Sequence, residues 1–218
     1  MNKYKGIIFD LDGTLLNTIE DISDSVNMAL MEFEFPTHTY EEYKLKLGNG
    51  FRVLIEKSVP QGSDKDTIDK VLNLFTKIYK DNYHKKTKPY SGIIELLKML
   101  DKKGYKLAIN SNKRDDYTNS LSSKIFSQIP FVAVFGERRE IPKKPNPTST
   151  LEIIELMGLN NREVLFVGDS DTDILTANNA KVDSIGVTWG FRTYEELKNN
   201  GAAYIVSNPI EILNIVEE

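Results

Sequence analysis

A chain of 218 residues with 40% hydrophobic positions can bury a sizeable core, either as one large domain or as a core carrying an insertion. Its net charge of -4 is spread over interspersed acids and bases, so no global field advertises a nucleic-acid or membrane partner. With no cysteine, disulfides, thiolate catalysis and zinc–cysteine sites are excluded.

The N-terminal stretch MNKYKGIIFDLDG reaches Asp10 too soon to hold a signal-peptide core, and no run is apolar enough over sufficient length to span a bilayer. Both favour a cytoplasmic location. Within that stretch GIIF (6–9) predicts a buried strand, which runs directly into two carboxylates, Asp10 and Asp12. Helical spacing then takes over. Ile19, Ile22, Val26, Ala29 and Phe33 form one apolar stripe, and Ile68, Val71, Leu72, Phe75, Ile78 and Tyr79 form another. Asn17 followed by Glu20 resembles a helix-starting cap. No strand pattern interrupts 18–86, and KTKPYSG (86–92) is punctuated as a return linker by Pro89 and Gly92. Apolar runs at 106–110, 132–135, 164–168 and 184–187 predict further buried strands. Amphipathic helices are expected near 91–103, 115–123, 148–158, 171–180 and 193–199. This alternation argues for an α/β fold, a doubly wound (Rossmann-like) parallel sheet interrupted by an all-helical insertion. The expected division is a core of 1–16 and 88–218 and a helical unit of 17–87.

Four segments can carry chemistry, and each also has an ordinary structural reading. Asp12–Gly13 is a common turn pair. Yet open α/β sheets place their sites at the carboxyl ends of parallel strands, and carboxylates gathered there need a cation; Mg²⁺ suits oxygen donors. In VLFVGDSDTDILTA (164–177), Asp169 directly follows a strand. If Ser170 caps the next helix, Asp173 falls at N3, where an acid favours the helix dipole. Asp171 has the same explanation and no better one. In KLAINSNKRDD (106–116), Ser111 and Asn112 stand between a strand and a helix, suited to turn and cap chemistry or to meeting an anion. In EIPKKPNPTSTLEI (140–153), Lys143 and Lys144 precede two prolines that stiffen the chain, so that a lysine there can act as a positioned charge.

Taken in order, DLDGT (10–14), NSN (110–112), KPNP (144–147) and GDSDTD (168–173) resemble the four motifs of the haloacid dehalogenase-like hydrolases, in their phosphatase branch. The resemblance covers nearly the whole chain, and the helical insertion after the first strand is similar to that family's cap domain. It implies that Asp10 is the nucleophile, forming an aspartyl-phosphate, and that Asp12 is the general acid and then the base. It implies Mg²⁺ held by Asp10, the Asp12 backbone carbonyl and Asp169. Ser111, the Asn112 backbone and Lys144 would hold phosphoryl oxygens, and Asp173 would orient Lys144 or a metal-bound water. Lys144 is preferred over Lys143 because it alone precedes Pro-x-Pro.

An acid at position 12 favours a phosphate ester over a halide. LKLGNGFRVLIEKSV (45–59) is similar to the caps of phosphoglycolate phosphatase-like members. Gly48, Asn49 and Gly50 would then turn into the site, and Arg52 could pair with a substrate carboxylate. The expected activity is an Mg²⁺-dependent phosphatase acting on a small phosphorylated metabolite, with 2-phosphoglycolate foremost. Pyrophosphate, a nucleotide monophosphate or a β-phosphoglucomutase-like phosphosugar mutase are the alternatives within enzymes. The arginine motif of the mutase caps is missing. A signalling receiver would lack Asp12 and the insertion, and a binding module without activity would not need all of these residues. No nucleic acid or membrane partner is expected, and the protein would be a monomer or homodimer. Trp189 and Arg192 receive no role, and His38 and His84 read as surface or packing residues.

Overall fold

Gly6–Phe9 forms strand β1, with all four residues buried. Successive side chains point to opposite faces. Ile7 and Phe9 join one hydrophobic cluster, whereas Ile8 joins another on the reverse side. A strand covered on both faces has no solvent side, which is why it reads as an unbroken apolar run. β1 pairs in parallel with β4 (Lys106–Arg114) and with β6 (Val164–Gly168), placing Ile7 opposite both Leu107 and Leu165. β5 (Phe131–Glu137) lies outside β4, and β7 (Asp183–Val187) and β8 (Tyr204–Val206) continue beyond β6. The sheet order is therefore β5-β4-β1-β6-β7-β8, with every pair parallel. This computed structural model describes residues 3–217.

Helices cover both faces. Leu96, Leu97 and Leu100 of α5 (Ile93–Lys102) pack with Ile212, Leu213 and Val216 of α10 (Ile210–Glu217) on one side. Ile153, Ile154 and Met157 of α7 (Thr148–Met157) pack with Ala177 and Ala180 of α8 (Asp171–Ala180) on the other. α6 (Asp115–Ile125) and α9 (Tyr194–Asn199) complete the alternation. The parallel α/β architecture expected from the apolar runs is the one observed.

Between β1 and α5 the chain makes four helices: α1 (Ile19–Glu32), α2 (Tyr40–Lys46), α3 (Phe51–Glu56) and α4 (Lys65–Asn82). Ile22, Val26, Ala29, Val71, Phe75 and Tyr79 from the two apolar stripes meet in a cluster of their own. Tyr117 of α6 and Phe191 are the residues outside the four helices and their connections that join it. The chain leaves and returns through a two-stranded antiparallel ribbon, β2 (Leu16–Asn17) with β3 (Lys88–Pro89). The buried carboxylate of Asp21 ties down the return, accepting from the backbone N–H groups of Lys86 and Thr87 at 2.8–3.0 Å.

Some expectations need correction. Asn17 does not cap α1. Pairing with Lys88 holds Asn17 in the ribbon, so the N-cap is Thr18, and the Asn17 side chain only accepts from Ile19 N at 3.4 Å. β4 runs four residues past the apolar run at 106–110, because its polar end stays sheltered in the sheet. β8 and α10 lie outside the elements that the sequence predicts. β8 is a three-residue edge strand that is only partly buried, too short to display a period.

Candidate active site

The neighbours of β1 lead toward opposite edges of the sheet, so the topology reverses there and a crevice opens at the carboxyl ends of β1, β4 and β6. Asp10 follows β1 at once, and its N–H donates to Val167 O of β6 at 2.9 Å. Asp169 follows β6 and is buried to 1% exposure. One carboxylate oxygen accepts from Thr14 Oγ1 at 3.0 Å, and the other from Phe191 N at 2.8 Å. Two glycines make room for these acids. A Cβ on Gly168 would lie 2.2 Å from the Asp173 Cβ, and one on Gly190 would lie 2.3 Å from the Asp169 Cβ.

Ser170 caps α8 as its sequence suggests, and Asp173 at N3 completes a capping box. Asp173 Oδ2 accepts from Ser170 N at 3.1 Å and from Ser170 Oγ at 2.6 Å. The cap orients the carboxylate so that Oδ1 accepts from Lys144 Nζ at 2.7 Å. Lys144 Nζ also donates to Asp10 Oδ1 at 2.6 Å. The Asn112 amide fixes the lysine loop from β4. Its Oδ1 accepts from Lys144 N at 2.9 Å, and its Nδ2 donates to Lys144 O at 3.0 Å and to Gly48 O at 2.9 Å. Lys143 instead pairs with Glu137 at 2.8 Å, away from the aspartates. Ser111 is buried beside them, and its Oγ accepts from Lys113 N at 3.2 Å.

Oxygens of Asp10, Asp169 and Asp173 lie within 4.8 Å of one another, all buried. Burial pushes the Asp10 carboxyl up to about 7. Lys144 opposes that rise, and the neighbouring acids Asp173 and Asp12 reinforce it. Burial likewise lifts Asp169 well above the carboxylate range, helped by Asp173 and Asp10. Burial alone would lower Lys144, but the flanking Asp10 and Asp173 hold it above the usual lysine value. Four carboxylates line the cavity, Asp10, Asp12, Asp169 and Asp173, against two ammonium groups, Lys113 and Lys144. Such a lining repels a phosphate dianion unless a cation joins it. The donors around it are carboxylate oxygens with no histidine among them, a set that fits a hard divalent ion.

Ile22, Leu47, Gly48, Gly50 and Phe51 of the helical insertion cover the crevice. They leave a cavity of about 40 Å³, room for roughly three waters. Asn49 is not part of its lining, and neither is Arg52. Contrary to the expectation of a substrate contact, Arg52 is 44% exposed and paired with Asp69 and Glu56. The one-residue step from Phe51 turns it to the other side of α3, since Phe51 takes the inward face.

Three residues given no role in the sequence prove to be structural ties of the site. Trp189 Nε1 donates to Thr14 O at 3.0 Å. Arg192, from the loop after β7, donates to Lys44 O and, at 3.1 Å, to Leu47 O, the free carbonyls at the end of α2. Lys113, with no exposed side-chain surface, donates to both carboxylate oxygens of Asp12 at 3.1 and 3.2 Å and to the Tyr79 hydroxyl of α4 at 2.7 Å. Strand periodicity carried on past Asn110 could have found it, because Ser111 and Lys113 share a face. His38 Nε2 lies 2.8 Å from Ser58 O, and His84 rests against Tyr83, both away from the crevice.

The sequence model for haloacid dehalogenase-like hydrolases matches residues 7–187. The chain is 36% identical over 188 residues to a phosphoglycolate phosphatase of Mesorhizobium japonicum, covering 85% of this chain and 83% of that protein. It is 31% identical over 218 residues to the phosphoglycolate phosphatase of Vibrio parahaemolyticus, covering 97% and 96%. The crystal structure of a proposed phosphoglycolate phosphatase from Lactobacillus delbrueckii subsp. bulgaricus superimposes with a TM-score of 0.92 at 32% identity, covering 99% of this chain and 100% of that one. No helix among the described residues is long and apolar enough to cross a membrane.

Proposed function

The chain belongs to the haloacid dehalogenase-like hydrolases and is a phosphoric monoester hydrolase of the phosphoglycolate phosphatase-like kind, and from that premise we propose that it hydrolyses a small, 2-phosphoglycolate-type ester with Mg²⁺ through an aspartyl-phosphate on Asp10. The observation that carries this reading is the buried group of Asp10, Asp169 and Asp173 at the sheet's switch point, bridged by Lys144 and roofed by the helical insertion.

In the proposed first step an Asp10 carboxylate oxygen attacks phosphorus and the ester P–O bond breaks. Asp12 gives its proton to the departing alkoxide. In the second step Asp12 takes a proton from water, whose oxygen attacks the aspartyl-phosphate, freeing phosphate and Asp10. Ser111, the Asn112 backbone N–H and Lys144 hold the phosphoryl oxygens, as preorganised donors must in a transfer with little covalent work for the protein. Asp173 keeps Lys144 in place. Asp10, Asp169 and the Asp12 carbonyl would hold Mg²⁺, which when bound offsets the repulsion between a phosphate dianion and the acidic lining.

Residues 17–87 act in this reading as a cap on the core formed by 1–16 and 88–218, opening about the β2–β3 ribbon. Support comes from their separate hydrophobic cluster and from a covered cavity too small to admit a substrate without movement. The same cavity favours a two- or three-carbon phosphate over a nucleotide. The test is phosphate release from a panel of phosphomonoesters with and without Mg²⁺. The expected result is turnover of 2-phosphoglycolate, lost on chelation. Release of phosphate at full rate in excess chelator, or from none of the esters, would overturn the proposal.

A further inference from the structure

With Arg52 on the outer surface, the residue that reads the leaving group must be sought inside the cavity. Two cations line it. Lys144 is committed to Asp10 and Asp173. Lys113 pairs with Asp12 where the core meets the insertion, with its ammonium 5.0 Å from the centre of the Tyr79 ring and 5.8 Å from that of Phe51. An ammonium has three N–H donors. They meet three acceptors, both carboxylate oxygens of Asp12 and the Tyr79 hydroxyl. The two contacts to Asp12 are long, at 3.1 and 3.2 Å, so one donor can turn from that carboxylate to a ligand in the cavity that the side chain borders.

We propose that Lys113 recognises the anionic group of the substrate's leaving alcohol, so that the enzyme selects esters carrying a carboxylate close to the phosphate. The inference rests on the phosphatase reading above, in which Asp12 protonates the ester oxygen. That oxygen must lie within about 3 Å of the Asp12 carboxyl, and Lys113 Nζ is 3.1 Å from the same carboxyl on its cap side. The ester oxygen and Nζ then share one carboxyl, so a carboxylate one carbon away from that oxygen can come within hydrogen-bond reach of Nζ. The apolar faces of Phe51 and Tyr79 exclude water there, which strengthens a charge-assisted contact. The same two rings come from the insertion, so selectivity depends on the cap being down. A neutral leaving group offers the ammonium no second carboxylate in that enclosure, and this discriminates against it.

The test compares kcat/KM for 2-phosphoglycolate and for ethyl phosphate, its analogue without the carboxylate, in wild type and in Lys113→Gln. Glutamine keeps a donor toward Asp12 and Tyr79 but removes the charge. Because Lys113 also touches Asp12, both substrates lose rate, and the ratio is what matters. Wild type should prefer 2-phosphoglycolate, and the variant should lose about 10- to 100-fold more on it than on ethyl phosphate. The excess should fall on KM, and Lys113→Arg should restore part of the preference. Circular dichroism checks the fold. If glutamine prevents folding, Lys113→Met, an apolar side chain of similar length between the two rings, carries the same comparison. Equal losses on both esters, or a wild type that turns over both alike, overturns the role of Lys113 and leaves the phosphatase reading standing. Failure of wild type on both esters and on an aryl phosphate overturns both.

Discussion

Lys144→Met removes the ammonium that lies between Asp10 and Asp173, both of them buried, with Asp169 close by. Removing one partner of a buried ion pair costs about 3–5 kcal/mol, because the remaining charge is left without compensation. For a chain of this size each kcal/mol moves Tm by about 2–4 °C, so the expected loss is about 6–20 °C in metal-free buffer. The pH dependence has a definite sign. Asp10 titrates near 7 in the folded protein against 3.8 as its ordinary value. Between those values the folded state binds more protons, so its contribution to stability falls as pH rises through that window. Loss of Lys144 lifts the folded value further and carries the window upward. The variant's deficit should therefore be smaller at pH 5, where Asp10 is protonated with or without the lysine and only the contact with Asp173 is lost, than at pH 8.5. Mg²⁺ should restore more of the Tm in the variant than in wild type at pH 8.5, since a cation then replaces the missing charge. Differential scanning calorimetry at the two pH values, with chelator and with Mg²⁺, makes the measurement. A Tm within about 2 °C of wild type at pH 8.5, or a larger deficit at pH 5, would refute the reasoning.

Asp10→Asn should lower turnover by at least about 10³-fold while metal-free Tm holds or rises, because an amide replaces a buried charge and its oxygen still accepts from Lys144; steady-state phosphate release and thermal unfolding decide this. Arg192→Ala removes the donors that close the end of α2, so KM should rise by about tenfold with Tm down by only a few degrees. Unchanged KM in that variant would show that the contact does not hold the cap. Arg52→Ala should change kcat/KM by less than about twofold on any ester, since its partners are exposed surface acids; a selective loss on 2-phosphoglycolate would restore the residue to the site.

Local sequence determined a great deal here. Short unbroken apolar runs at 6–9 and 164–168, alternating with helical patterns, read as strands buried on both faces, and the stripes ending at Phe33 and Tyr79 read as helices from their spacing. Asp10, Ser111, Lys144 and Asp169 stand out for a different reason: the order of their four segments resembles the motif order of the haloacid dehalogenase-like hydrolases, and that resemblance implies their roles. Ser170 with Asp173 was legible as a cap, since a capping box closes within one turn. Direction across longer distances was not. That Asp173 turns its second oxygen to a lysine 29 positions away depends on how α8 and the lysine loop pack, with the Asn112 amide between loop and turn. Lys113, given no role in the sequence, gains its partner only because α4 lays Tyr79 over it, and Arg52, expected to meet a substrate carboxylate, faces outward because Phe51 takes the inward face of α3. Period tells which residues share a face, but a charged side chain takes its partner from whatever other element the tertiary packing brings against that face.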